Sequence, residues 1–103
     1  MIDDIKVAKK LLALHSSAKS RDIEFNLTFK KVKQLLTRKT CFYTGTPFDN
    51  KYNGRSIDRV DNTKGYIDSN VVACTVRINS LKSDLSIGEL NRLTNKVNSF
   101  IKN

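Results

Sequence analysis

The chain has no apolar run near the roughly 20 residues that a membrane-spanning helix requires. Its first residues, Met1-Ile2-Asp3-Asp4, are acidic where a secretory leader would be basic and then apolar. The sequence therefore predicts neither membrane insertion nor secretion, and a cytoplasmic setting. Cysteine is scarce: Cys41 and Cys74 are the two in the chain, and in a reducing compartment both read as free thiols acting as small buried hydrophobes. Histidine is scarcer, with His15 alone. There is no internal repeat, low-complexity tract or linker, and 103 residues with 39% apolar content suffice for a single modest core and no second domain.

Acidic charge is also in short supply. Ten Asp and Glu face 19 Lys and Arg, a formal net charge of +9. Such an excess is not needed for folding and is usual where a protein neutralises phosphates. Nucleic acid, and duplex DNA first, is the expected partner; a basic protein whose charge serves solubility is the plain alternative.

From Ile2 to about Ser17, Ile5, Ala8, Leu11, Leu12 and His15 recur at spacings of three and four, predicting an amphipathic helix with those residues inward. On that stripe His15 reads as a core or partly buried histidine rather than a catalytic base. Ile23 to Leu27 alternates as a short extended segment, and Thr28 is placed to cap a second helix reaching about Arg38, with Phe29, Val32, Leu35 and Leu36 inward and Leu27 stapled onto Val32. Residues 1–40 thus form a basic helical arm. Its positive face is read either as plain solvated surface or as a phosphate-tracking face.

Thr44-Gly45-Thr46-Pro47 and Asn53-Gly54 mark turns around Cys41, Phe42, Tyr43 and Phe48, a hairpin-like knuckle. Ser56 to Val60 alternates as a strand, Asp61 to Tyr66 reads as a loop, and Asn70 to Cys74 is rich enough in β-branched residues for a second strand. A helix from about Thr75 to Ser83 completes a ββα unit over residues 41–83. Ser86 and Glu89 form a capping box, and Leu90, Leu93, Val97, Phe100 and Ile101 form an apolar stripe, so residues 84–103 are expected to be a helix packed on the core.

In a ββα unit Asp58 on the first strand and Asn79 on the helix face each other. One carboxylate and one amide oxygen suit a hard cation that keeps most of its waters and takes phosphate oxygens as further ligands. Lys82 falls on the same helical face and could hold a phosphate, and Arg55, Lys64 and Arg77 could add backbone contacts that read no sequence. Taken alone, an Asp in a strand and an Asn in a helix more often make structural hydrogen bonds. Tyr66 reads first as a packing or turn residue, and second as a stacking contact for a base.

The ordered run Cys41-Phe42-Tyr43-Thr44-Gly45, Ser56-Ile57-Asp58-Arg59-Val60-Asp61, Lys64-Gly65-Tyr66, Asn70-Val71-Val72 and Asn79-Ser80-Leu81-Lys82 resembles the HNH, or His-Me finger, endonucleases. The likeness is to small phage and mobile-element members with a C-x-Y-T-G knuckle and an S-[IL]-D-R-[IV]-D strand. Ala18-Lys19-Ser20-Arg21 followed by Phe25-Asn26-Leu27-Thr28 resembles their lead-in, so the likeness covers most of residues 18 to 90.

The resemblance implies an α+β fold, a small ββα-metal core flanked by N- and C-terminal helices, and a Mg²⁺- or Mn²⁺-dependent DNA endonuclease or nickase. It makes Asp58 and Asn79 the metal ligands, Asn70 the middle Asn that braces the loop and the base, and Lys19 and Arg21 part of the DNA-binding surface. Arg59 stands where most of the family carries the His that activates water. With a pKa above about 12, an Arg is no general base at neutral pH. Three readings follow: Arg59 acts on the phosphate as an electrophile while Asp61 or solvent takes the proton; another residue is the base; or the fold binds nucleic acid without cutting it. A basic inhibitor of an acidic protein partner is a further alternative. The zinc of many members would need ligands at Cys41, Thr44, Thr75 and Ile78, of which only the first is a thiol, so no structural zinc is expected.

Overall fold

A computed structural model describes residues 2–51 and 53–102. Among them the order is α1 (Asp4–Ser20), β1 (Phe25–Asn26), α2 (Phe29–Thr37), β2 (Arg55–Arg59), β3 (Tyr66–Ile67), a 3-10 turn (Asp68–Asn70), β4 (Val71–Thr75), α3 (Val76–Lys82) and α4 (Ile87–Lys102). β1 and β3 pair in parallel, β2 and β4 antiparallel, giving two small sheets. The expected α+β class is the observed one. Among the described residues no helix is long and apolar enough to cross a membrane.

α1 begins where the Asp3 carboxylate accepts the N–H of Ile5 at 2.9 Å. Its buried residues are Val7, Leu14 and Ala18, with Leu11 partly buried. This corrects the expected stripe: Ile5 and Leu12 are 63% and 65% exposed, and His15 is exposed with its ring edge-on to Phe25. Apolar residues occur around much of α1, so helical periodicity allows two stripes about a quarter turn apart. Packing against α2 and β1 selects the one built on Val7, Leu14 and Ala18.

Thr28 caps α2 by accepting the Lys31 N–H at 3.1 Å, and its own N–H and hydroxyl donate to the Asp68 carboxylate at 3.0 and 2.8 Å. The start of α2 is thereby tied to the turn before β4. Val32 and Leu35 are buried as expected, whereas Phe29 is 40% exposed. Between β1 and β3 the chains run so close that a Cβ on Gly65 would lie 2.5 Å from the Glu24 carbonyl oxygen. Only glycine fits there.

The β2–β4 pair sets Ile57 opposite Ala73 and Asp58 opposite Val72. Successive side chains point to opposite faces. Ile57, Val71 and Ala73 join Val7, Leu14, Ala18, Leu27, Val32, Leu35 and Tyr66 in the apolar core under α1 and α2. Ser56, Asp58 and Cys74 occupy the other face, over which α3 packs. Thr75 caps α3, its hydroxyl accepting the Ile78 N–H at 3.3 Å. The knuckle docks on this unit through the Phe42 N–H, which donates to the Ala73 carbonyl at 2.9 Å.

The capping box of α4 forms as read, with the Ser86 N–H donating to Glu89 at 3.0 Å and the Glu89 N–H donating to Ser86 at 3.1 Å. The expected packing does not: no residue of α4 is buried, and Leu93, Val97, Phe100 and Ile101 are 54%, 55%, 83% and 72% exposed. Amphipathy says that a helical face favours cover, not that its own chain supplies it.

Candidate functional site

The polar face of the β2–β4 pair carries a buried cluster. Asp58 is 8% exposed, and its Oδ2 accepts the Tyr43 hydroxyl at 2.6 Å and lies 3.0 Å from the Lys82 ammonium. Lys82 is 5% exposed and also donates to the Arg59 carbonyl at 2.9 Å. A charge withdrawn from water needs such partners. Burial, and then the Asp58 carboxylate, push the Tyr43 phenol well above its ordinary range, so it remains a donor. Burial, and then the same carboxylate, push the Cys74 thiol up to about 12.

Asp58 also borders a cavity of about 140 Å³ lined by Arg21, Ile57, Arg59, Asn62, Tyr66, Asn79 and Ser83. Among the described residues Asp58 Oδ1 takes no hydrogen bond, and the Asn79 amide donates through Nδ2 to the Ser56 hydroxyl at 2.7 Å while its Oδ1 takes none. Two oxygens from neighbouring elements thus remain unengaged beside one polar cavity. At roughly 30 Å³ per water, that volume has room for a cation with part of its hydration shell.

Arg59 lines the cavity, but one of its nitrogens is tied to the Lys64 carbonyl at 2.8 Å and the Asn62 carbonyl at 3.2 Å. It and Arg21 both approach the Tyr66 ring, their guanidinium carbons 5.4 and 5.8 Å from its centroid, and Arg21 donates to the Tyr66 hydroxyl at 2.7 Å. Tyr66 is 7% exposed, a packing residue between two cations. Asn70 stands behind the loop: its amide accepts from Asp61 N–H and donates to the Asp61 and Gly65 carbonyls, each at 3.0 Å. These bonds brace the loop between β2 and β3. Asp61 accepts from the Thr63 hydroxyl and N–H at 2.6 and 2.9 Å, which hold its carboxyl below the usual carboxylate range and weaken it as a base.

The other sequence-derived candidates scatter. Lys82, read as a phosphate holder, is instead the internal counter-ion of Asp58, because α3 lies so close over β2 that its ammonium reaches the carboxylate before solvent. Arg55, read as a backbone contact, donates to the Leu35 carbonyl at 2.9 Å and stacks 4.2 Å from the Phe48 ring; burial lowers its pKa. Lys19, Lys64 and Arg77 are exposed and outside the 140 Å³ cavity, Lys64 lining an adjoining groove that shares Arg59. Tyr43 and Ser56 are site residues that sequence reasoning missed. Ser56 was accessible to it, since it precedes Asp58 by two on the same strand face.

At the knuckle, Cys41 Sγ accepts the Thr75 N–H at 3.4 Å. Burial pushes the Cys41 thiol up, but the Thr44 hydroxyl and the N–H groups of Thr75, Thr44 and Tyr43 outweigh it and bring it down to about 7. Among the described residues, no group of three or more His, Cys, Asp or Glu side chains is arranged to hold a metal ion.

No family model and no solved structure matches the chain. Over 87 residues it is 41% identical to an uncharacterized 29.0 kDa protein from the dda-modA intergenic region of Enterobacteria phage T4, an alignment covering 82% of this chain and 35% of that protein. Over 70 residues it is 36% identical to an uncharacterized protein of Acanthamoeba polyphaga mimivirus, covering 68% of this chain and 13% of that one. The chain thus spans about a third or less of these curated relatives, both of them viral.

Proposed function

We propose that the chain is an HNH-type, metal-dependent DNA endonuclease or nickase. One observation carries the reading: Asp58 and Asn79, from a strand and the helix packed over it, each present an unengaged oxygen at a single polar cavity. That donor set fits Mg²⁺ or Mn²⁺, with water and phosphate oxygens completing the coordination. When bound, such a cation polarises the scissile phosphate and stabilises the leaving oxygen.

The chain's own residues do the rest. Tyr43 and Lys82 fix Asp58 through Oδ2 and Ser56 fixes Asn79 through Nδ2, so that Asp58 Oδ1 and Asn79 Oδ1 stay unengaged in residues that line the cavity. Asn70 holds the loop that carries Asp61 and, through the Lys64 carbonyl, the Arg59 guanidinium. Arg59 and Arg21 supply fixed positive charge where a phosphate enters. The net charge of +9, with Lys19, Lys64 and Arg77 exposed, favours a polyanion without reading its sequence. Where the resemblance sets a structural zinc, hydrogen bonds through Thr75 link Cys41 to Ile78.

A second reading, binding of nucleic acid without cleavage, is favoured by the proton acceptors near the cavity: Asp61 is weakened by Thr63, and Arg59 is a cation braced by loop carbonyls. Plasmid relaxation separates the two. The nuclease reading expects Mg²⁺- or Mn²⁺-dependent nicking by the wild type, with Asp58→Ala and Asn79→Ala each reduced at least about 100-fold, the scale of losing a group that acts on the transition state. Equal nicking by all three is contamination, and salt-sensitive duplex binding with no nicking is the binding module.

A further inference from the structure

Three residues after Asn79, on an exposed-looking turn of α3, Lys82 has an ordinary place for a surface lysine. It is instead buried, and its ammonium reaches the same carboxylate that borders the cavity, 3.0 Å from Asp58 Oδ2. Two further cations, Arg21 and Arg59, line that cavity. With Lys82 they outnumber the one Asp58 carboxylate three to one. A dication approaching Asp58 Oδ1 meets a carboxylate already neutralised from its other side, within a positive surround. A nucleic-acid phosphate alters that balance in two ways. It adds negative charge between the two arginines, and it brings oxygens that hard cations favour.

We infer that Lys82 makes divalent-cation binding at Asp58 conditional on a phosphodiester, so that cation and nucleic acid bind this site as a cooperative pair. The inference rests on the nuclease reading of the cavity and deepens it. Lys82 holds Asp58 aimed while suppressing capture of free cations; the phosphate restores affinity for the ion. Linkage requires the reverse as well: the cation raises affinity for the phosphate by the same factor. Removing the ammonium charge uncouples the two, whereas a lysine with a merely structural role does not affect the coupling.

The test titrates the full chain with Mn²⁺ and reads the paramagnetic resonance of the free aqueous ion, with and without a short DNA duplex, against the duplex alone. The wild type is expected to bind Mn²⁺ about tenfold or more tightly in the duplex complex, within the usual span of coupling between sites. Lys82→Gln keeps an amide donor for Asp58 and removes the charge; it is expected to raise the Mn²⁺ affinity of the free protein about tenfold and shrink the effect of the duplex, a coupling change of the usual size. Equal wild-type affinity in both states, or an unchanged free affinity in a folded Lys82→Gln, overturns the coupling while leaving the cavity a cation site. No Mn²⁺ beyond that taken by the duplex, in either arm, overturns the cation site and the coupling together. Should Lys82→Gln fail to fold by circular dichroism, the wild-type comparison decides alone.

Discussion

The two faces of the β2–β4 pair solve the same packing problem with opposite chemistry. Toward α1 and α2, Ile57, Val71 and Ala73 sit in an apolar core; toward α3, Asp58 and Lys82 are buried almost as deeply but as an ion pair with a tyrosine hydroxyl on the carboxylate. Burial of apolar surface stabilises in proportion to area and tolerates repacking. A buried ion pair contributes little net stability relative to a hydrophobic replacement, and it fails badly when one partner is removed. The polar face is therefore a poor device for stability alone, and it borders a cavity.

Breaking the polar face from one side is expected to have the largest effect. Lys82→Ala leaves Asp58 buried without its cation and should cost about 3–5 kcal/mol in urea unfolding. Asp58→Leu with Lys82→Met should recover most of that loss while giving no metal-dependent nicking, which separates stability from function. A loss of less than about 1 kcal/mol for Lys82→Ala would place the ammonium in water and remove the contrast.

On the apolar face Leu35→Ala should cost about 2–5 kcal/mol, with Mn²⁺ affinity per folded molecule unchanged. A change in cation binding there would mean that the two faces are mechanically coupled. Thr28→Ala, which removes the α2 cap and a hydrogen bond to Asp68, should cost about 1 kcal/mol.

The thiols compare the knuckle with the polar face by titration. Cys41, depressed to about 7, contributes stability that is present above the ordinary thiol value of 9.0 and lost as pH falls through about 7. Cys74, raised to about 12, contributes stability that is present below 9.0 and lost as pH rises through about 12. Thiolate absorbance of the folded protein should therefore rise in two separate steps. A single step near 9.0 contradicts both environments.

The smallest effect belongs to α4. Phe100→Ser is expected to change unfolding free energy by no more than about 0.5 kcal/mol, because that ring is 83% exposed. A larger loss means that α4 is covered in solution.

What could be read from the residues divides along the same line. The ββα order, the Thr28 cap and the Ser86–Glu89 box were legible because each is local: alternation, a short polar side chain before a helix, a reciprocal pair three residues apart. The inward stripe of α1 was not, since its apolar residues permit two faces and only distant α2 and β1 choose between them. The exposure of α4 was not legible either, because its sequence states a hydrophobic face and says nothing of a partner. At the site, Asp58 with Asn79 followed from the ββα order, and bracing by Asn70 from the family resemblance. The conversion of Lys82 from surface cation to counter-ion follows from how closely α3 lies over β2, a tertiary distance that no local pattern encodes.

On the proposed nuclease reading, Asp58 and Asn79 converge on one divalent ion beside a phosphate. Anomalous diffraction from a crystal of the protein with a short duplex and Mn²⁺ tests it directly. The expected result is a single peak coordinated by Asp58 Oδ1 and Asn79 Oδ1 with a phosphate oxygen beside it. The contradicting result is a well-ordered duplex on the protein with no Mn²⁺ between those two side chains.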